Sequence, residues 1–430
     1  MGEAADASSP GVRGGWMVLD DLKTFPRTFK VLVASALIEN MAFGLIMPYL
    51  TLYMLNDLMF ASWAAGAVLA AYTLAAMPSM VLGGMLADKI GRRPVLLASL
   101  GLMSLTILTY FFVRSFEALF ILALADSFVG SMYMPAANAM IADTIKPSDR
   151  PRAYSAIRIA WNVGIIFGPV LGAMIVAASG IRILFVFGAG ILGCAFVMNF
   201  IFIRETKPEK VETERITFRS VLSVSTDRPF LLLCAMSAVF WFFFSQWMSV
   251  LPAYANGVLG VEEYKFGLLF AVSALMTVAL QLWITSQMVK YRRTAVLTAG
   301  QLVSAVGFAL IFFATDFYTL MACIVIITIG ELFYMSIISA IIADMAPEAK
   351  RGIYMGFSGL IQSLGSGLGF VFGMTLFGIV EDKAIVWLVF GGIGIVSCVG
   401  YYFLAILLGP ERNMSSKKEN DGKVEPVSSL

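Results

Sequence analysis

Long apolar runs alternate with short charged segments along this 430-residue chain, and the alternation repeats twelve times. The runs cover 30–55, 62–86, 94–113, 117–142, 155–178, 183–203, 230–255, 264–288, 294–314, 318–343, 353–379 and 384–408. Crossing ~30 Å of hydrocarbon at 1.5 Å per residue takes about 20 residues, and each run supplies them. Their length and their many Leu, Ala, Met and Gly residues predict helices; a barrel would read as short alternating strands separated by turns. The expected fold class is an all-α membrane protein with twelve transmembrane helices, numbered here as spans 1 to 12.

Composition agrees: 59% of the residues are apolar and 13% charged, and mean hydropathy is +0.86, outside the range of soluble domains. Charge then sets orientation. With both termini in the cytoplasm, all but five of the 30 Lys and Arg residues fall on cytoplasmic segments, as the positive-inside rule requires. The exceptions are Arg114, Arg182, Lys265 and Lys383 in outer loops and Arg158 just inside span 5. The net charge of +2 thus reflects topology and gives no reason to invoke nucleic acid. The four cysteines, Cys194, Cys234, Cys323 and Cys398, fall inside spans as packing residues. Histidine is absent, which removes the commonest metal ligand and leaves proton chemistry to carboxylates. Residues 1–29 carry no apolar stretch of the signal-peptide kind, so insertion is expected to begin with span 1. The expected setting is the plasma membrane.

The polar stretch "RETKPEKVETERITFRSVLSVSTDRP" at 204–229 separates six spans from six. It reads as a cytoplasmic linker with a short amphipathic helix around 215–224, between bundles at 30–203 and 230–408; 1–29 and 409–430 read as cytoplasmic tails, the latter disordered. The halves look duplicated. "AMIADTIKPSDRPRAYS" at 139–155 is echoed by "AIIADMAPEAKRGIYMG" at 340–356, an offset of 201 that also carries Gly164, Gly168 and Gly172 onto Gly365, Gly369 and Gly373. The "YRR" at 291–293 lies near the place that "GRR" at 91–93 predicts. Duplicated six-helix units are the plan of a secondary transporter with its solute site near the bilayer midplane.

Between spans 2 and 3, "GGMLADKIGRRP" at 83–94 packs four charges into six positions. The pattern Gly84-x-Leu86-Ala87-Asp88-Lys89-x-Gly91-Arg92-Arg93-x-x-Leu96 resembles, at every defined position, the signature of the major facilitator superfamily, and with twelve spans and a duplicated half the resemblance covers nearly the whole chain. Gly84 would let two helices approach, Gly91 would permit a tight turn, and Asp88 could accept backbone N–H groups at the start of a neighbouring helix. Arg92 could pair with Asp143 at the cytoplasmic end of span 4, and Arg158 is expected to meet Asp143 or another member of the cluster. The resemblance implies that this cluster is a conformational latch, closed in the outward-facing state. An ordinary positive-inside loop would explain Lys89 and Arg93, but not the glycine–aspartate–glycine spacing. A second motif, "GIIFGPVLGA" at 164–173, resembles the antiporter motif of the family's proton-coupled drug exporters: Gly164, Gly168 and Gly172 for close packing, Pro169 for a kink. Phe370 replaces the proline in the second copy, so only the first half should kink.

Span 4 departs from those exporters. They usually carry a buried arginine four residues before a glycine; counting back from Gly130, the residue here is Asp126. Two further carboxylates lie within runs, Glu39 beside Asn40 in span 1 and Glu331 in span 10. A charge at the helix centre costs about 2.5–3.5 kcal/mol on insertion scales, so each acid is protonated, paired or facing water. Glu39, Asn40, Asp126 and Glu331 are therefore candidates for proton and substrate binding, against the alternative of protonated acids that simply bond a neighbouring helix. In span 7, "WFFFSQWMSVLP" at 241–252 offers Trp241, Gln246 and Trp247 as a cavity wall able to stack on a solute or attract a cation; lipid-facing aromatics are the alternative.

These readings converge on a monomeric, proton-coupled exporter of amphipathic or cationic small molecules. An uptake symporter or uniporter for a metabolite or lipid-linked sugar stays open, as does a sensor or scaffold that transports nothing. No P-loop, GxSxG or HExxH occurs, so neither an enzyme nor any cofactor or metal is expected.

Overall fold

All twelve apolar runs become helices. The computed structural model describes residues 24–207, 223–288, 290–347 and 350–413. The spans are Arg27–Asp57, Ser62–Ile90, Arg92–Tyr110, Phe116–Thr144, Arg152–Ser179, Ile183–Phe202, Arg228–Gly257, Glu263–Met288, Arg293–Phe313, Phe317–Met345, Arg351–Ile379 and Ile385–Gly409. Their ends follow local chemistry. Asp227 accepts the Phe230 N–H to start span 7, and Asp316 and Thr319 form a reciprocal capping box at the start of span 10. Helical hydrogen bonding lapses at Ser131–Met132 in span 4 and tightens to a 3-10 turn at Ser245–Trp247 in span 7. Span 5 runs unbroken through Pro169.

The expected linker helix around 215–224 lies mostly outside the described residues, and so do most of both tails. The folded part nevertheless extends beyond the expected bundle edges. Phe29 is fully buried, and the last helix continues past a bend at Gly409 to Arg412, followed by a buried Asn413. A tail beginning at 409 is therefore corrected: Asn413 is part of the packed structure.

Two six-helix bundles are related by the same 201-residue offset at atomic detail. A Cβ on Gly164 would stand 2.5 Å from Leu37 O, one on Gly168 2.6 Å from Met41 O, and one on Gly172 2.9 Å from Leu45 O. In the second bundle, side chains at Gly365, Gly369 and Gly373 would overlap Ala238 O, Phe242 O and the Gln246 side chain. Adding 201 to 37, 41 and 45 gives 238, 242 and 246. Span 5 thus lies on span 1, and span 11 on span 7, backbone against backbone in the same register.

The bundles meet on the face away from the linker, called here the far face. Asn56 Nδ2 donates to Asn256 Oδ1 (2.9 Å) and Glu263 Oε1 (2.7 Å), and Thr51 Oγ1 donates to Met248 O (2.8 Å). Gly66 of span 2 sits on the span 11 backbone, where a Cβ would be 2.6 Å from Phe370 O. Gly267 of span 8 packs on span 5, 2.6 Å from Pro169 O by the same measure. Toward the linker, Met80 and Met85 of span 2 and Met355 of span 11 are exposed. The two bundles are in contact across the far face.

Leucine at Gly168 or Gly369 must push two backbones apart, and overpacking of this kind costs about 1–3 kcal/mol or more. Both variants are expected to lose monodisperse protein in detergent and to melt earlier. Gly356→Leu, with nothing within 4 Å of its Cβ, should behave as wild type.

Candidate functional site

The charge cluster is built on one turn. Gly91 adopts φ 114°, a conformation that side chains resist, and so turns the chain from span 2 into span 3. Arg92, 4% exposed, then points back into the bundle. Its Nε lies 3.0 Å from Asp143 Oδ2, its Nη2 3.1 Å from Asp88 Oδ1, and its Nη1 donates to Ala87 O. One guanidinium therefore ties the end of span 2 to the end of span 4.

The helix-start acceptor is not Asp88, which is engaged by Arg92. Glu205, just after span 6, takes that role: its two oxygens accept the backbone N–H groups of Arg92 (3.0 Å) and Arg93 (3.1 Å), at the positive end of span 3's dipole. Thr206 Oγ1 bonds Asp143, and Lys207 Nζ bonds Lys89 O. Arg93 Nη2 donates to Phe200 O. Two further expectations are corrected. Close approach belongs to Gly83, whose Cβ would lie 2.9 Å from Met132 Cα, whereas Gly84 has only Pro135 at 3.9 Å. Arg158 does not join the cluster, because its side chain points outward from span 5 while Asp143 is already paired; it is exposed, without an ion pair or hydrogen bond among the described residues. These contacts all remain within the first bundle and its linker.

The second bundle repeats the brace with different parts. Arg293 pairs with Asp344, at the offset of 201 from Arg92 and Asp143. Asn413 replaces Glu205: its Oδ1 accepts the Thr294 N–H (3.0 Å) and its carbonyl the Arg293 N–H (2.9 Å). The repeat "IAD" at 141–143 and 342–344 was the available clue to Asp344. Nothing in the sequence pointed to Glu205 or Asn413, which act across the bundle from the end of its last helix.

Between the bundles lies a cavity of about 430 Å³. Phe43, Trp241, Phe244 and Trp247 form its aromatic wall; Thr73 and the span 11 residues Gln362, Ser363 and Ser366 supply polar groups. Its lining residues carry no charge. Gln246 does not line it. Fully buried, Gln246 donates to Phe242 O (2.8 Å) and Gly369 O (2.9 Å) and accepts from Ser249, which fixes the break in span 7 against span 11. The spacing of aromatic residues could not reveal this, because it depends on Gly369 and Gly373 leaving room.

The acids are dispersed. Glu39 stands one helical turn, about 6 Å, on the linker side of Phe43 and on the same face; its Oε2 is buried without a hydrogen-bond partner. Asn40 turns the other way, donating to Ala36 O within its own helix. Asp126 is 1% exposed and accepts from Thr106 Oγ1 of span 3 at 2.6 Å. Glu331 is half-buried on span 10 and has no hydrogen-bond or ion-pair partner among the described residues. No group of His, Cys, Asp and Glu able to hold a metal ion occurs among the described residues.

Twelve spans in two superimposable bundles, closed on one face around a central cavity, define an alternating-access transporter fold. A family model described as the Major Facilitator Superfamily matches residues 32–286 and 259–430, and the chain belongs to that superfamily. It is 24% identical over 376 residues to a Na(+), Li(+), K(+)/H(+) antiporter of Planococcus maritimus, covering 80% of this chain and 88% of the relative. It is 25% identical over 383 residues to the multidrug resistance protein MdtH of Aeromonas salmonicida, covering 85% and 92%. Among solved structures it shares its fold with the nucleoside transporter NupG, at a TM-score of 0.75 and 16% identity over 88% of this chain and 98% of that one.

Glu205 also predicts a pH response. Burial works against its charge, but the backbone amides of Lys207, Arg92, Arg93 and Thr206 all donate to it, and together they hold its carboxyl below the usual value of 4.5. A carboxyl lowered on folding adds stability above its unfolded value and loses it as pH falls through the folded one. The melting-temperature deficit of Glu205→Gln is therefore expected to be constant between about pH 8 and pH 6 and to shrink only below about pH 4.5.

Proposed function

We propose that this transporter exchanges protons for amphipathic, aromatic small molecules, cationic ones included, carrying them from the linker side to the far side. In this reading the linker face and both termini are cytoplasmic, the membrane is the plasma membrane and the working unit is a monomer. The observation that carries it is Glu39, an uncompensated carboxyl one turn from the wall of the central cavity. A proton neutralises it, and a cationic head group resting one turn beyond the aromatic wall would do the same. Proton and solute then compete for one group, which is what exchange requires. Trp241 and Trp247 supply stacking and cation–π attraction for the solute, and Gln362 and Ser363 supply hydrogen bonds along one edge. Gln246 is left to hold span 7.

The uncharged lining of the cavity favours one second reading, symport of a neutral solute with a proton on the same Glu39. The sign of the proton movement separates the two.

Purified protein in liposomes holding a pH-sensitive dye provides the test, with ethidium, tetraphenylphosphonium, neutral aromatic drugs and sugars as the panel. Wild type is expected to move protons against an aromatic cation, and Glu39→Gln to lose at least about tenfold of that flux while tryptophan fluorescence still reports binding. Trp241→Ala with Trp247→Ala should alter which compounds are accepted more than the proton stoichiometry. Binding without flux for every compound in wild type would replace this reading with a uniporter or a sensor.

A further inference from the structure

Polar residues line the central cavity on several spans, but the hydrogen-bonding capacity left open there lies on one of them. Thr73 donates to Leu69 O, one turn back in its own helix, at 3.0 Å. Ser245 donates to Phe242 O (2.8 Å) and accepts from Gln246 Nε2 (3.0 Å). Both are satisfied within the protein. Gln362 is satisfied at one atom only: its Nε2 donates to Ser358 Oγ at 3.0 Å, and Ser358 is 1% exposed. Its carbonyl oxygen and second N–H have no partner among the described residues, and neither have the hydroxyls of Ser363 and Ser366.

Open hydroxyls go against the pattern of this chain. Thr73, Thr277, Thr285 and Ser336 each return the hydroxyl to the carbonyl four residues back, the usual resort of Ser and Thr in an apolar helix. Ser363 and Ser366 have Gly359 O and Gln362 O at the same spacing and do not use them. With Gln362 they fall within little more than one turn of span 11, so the free donors and acceptors sit together on one edge of the cavity. Gly359, one turn before Ser363, adds no side chain to crowd that edge. The rest of the lining is chiefly apolar, with Trp241 and Phe244 set edge-on, their ring centroids 5.8 Å apart and their planes at 83°. No lining residue is charged, so discrimination inside the cavity falls to stacking and hydrogen bonds. A site with free polar groups on one edge rejects a ring that leaves them unpaired.

We propose that the solute's ring system is a planar lactam or carboxamide, with an N–H and a C=O on neighbouring atoms. That edge seats on Gln362, Ser363 and Ser366, and the faces of the ring meet the aromatic wall. The Gln362 amide offers the complementary pair, an acceptor oxygen and an N–H, and Ser358 holds it in place; the two serines serve either as donors or as acceptors. Gln362 sets the preference. The proposal rests on this cavity being the solute site of the exchange reading, and it adds which members of the aromatic class bind best. A cationic substituent, where the solute has one, still lies toward Glu39.

Three tricyclic probes test it on the full chain in detergent, by fluorescence titration. Phenanthridinone carries the N–H and the C=O, its N-methyl derivative lacks the donor, and phenanthridine keeps only a ring-nitrogen acceptor. Wild type is expected to hold phenanthridinone at least about tenfold more tightly than either of the others. In Gln362→Leu and Gln362→Met the difference should fall to within about twofold through weaker binding of phenanthridinone alone, while phenanthridine stays within about threefold of its wild-type affinity and so reports an intact cavity. Trp241→Ala with Trp247→Ala should weaken all three alike. Equal affinities in wild type, no binding of any of the three, or a preference that survives both Gln362 variants overturns the proposal. An equal loss of all three probes in both Gln362 variants assigns that residue to packing and also overturns it. Undiminished ethidium-driven proton flux in Glu39→Gln, with the phenanthridinone preference intact, defeats the exchange reading alone and leaves the substrate class standing.

Discussion

Each bundle depends on one contact, a helix laid on another with only glycine hydrogens between their backbones. Spans 5 and 1 meet through Gly164, Gly168 and Gly172, and spans 11 and 7 through Gly365, Gly369 and Gly373. In hydrocarbon there is no solvent-driven burial to hold helices together, so close van der Waals approach has to do it. Much else follows from that spacing. It puts Glu39 and Phe43 of span 1 at fixed heights, and it leaves the niche in which Gln246 locks the break of span 7. It also explains how Pro169 fits in a continuous helix: its ring packs into the space beside Gly44, where a Cβ would lie 3.0 Å from Cδ.

The bundles' relation could be read from the chain because apolar length, loop charge and the 201-residue echo are one-dimensional signals. Span limits follow apolar runs closely for the same reason. Arg92 with Asp143 was also legible, since a basic turn and an acid at the end of a neighbouring span leave few other partners. Asp88 was misplaced because two acids compete for that turn, and the better donor set for a helix start went to Glu205, which has no local pattern. Gln246 looked like a solute ligand by its aromatic neighbours; which way a residue faces at a helix break is decided by the opposing helix, and so is hidden from sequence.

Polar groups in the membrane interior fall into two kinds here. Some are fully engaged: Gln246 bonds on both sides, and the Thr328 hydroxyl bonds Ser273 Oγ and Ile324 O. These hold shape, and in hydrocarbon they hold it firmly. Others are left wanting, among them Glu39 Oε2 and the hydroxyl of Tyr110. Unsatisfied atoms of that sort are costly at rest and become useful only if something visits them. The separation of the two kinds, more than the identity of any residue, distinguishes frame from working parts.

The pinned ends of the connecting segment carry a mechanical consequence. Glu205 and Lys207 are bonded into the first bundle, while Asp227 caps span 7 and accepts the Tyr354 hydroxyl at 3.1 Å. Between Lys207 and Ser223, where the chain is next described, lie the fifteen residues 208–222. At up to about 3.3–3.6 Å per residue, their contour allows roughly 50 Å, more than the thickness of the hydrocarbon layer. The tether is too long to govern how far the bundles part. That limit passes to Asn56, Asn256 and Glu263 on the opposite face, where a few neutral amides and one carboxylate act as the clasp of the hinge.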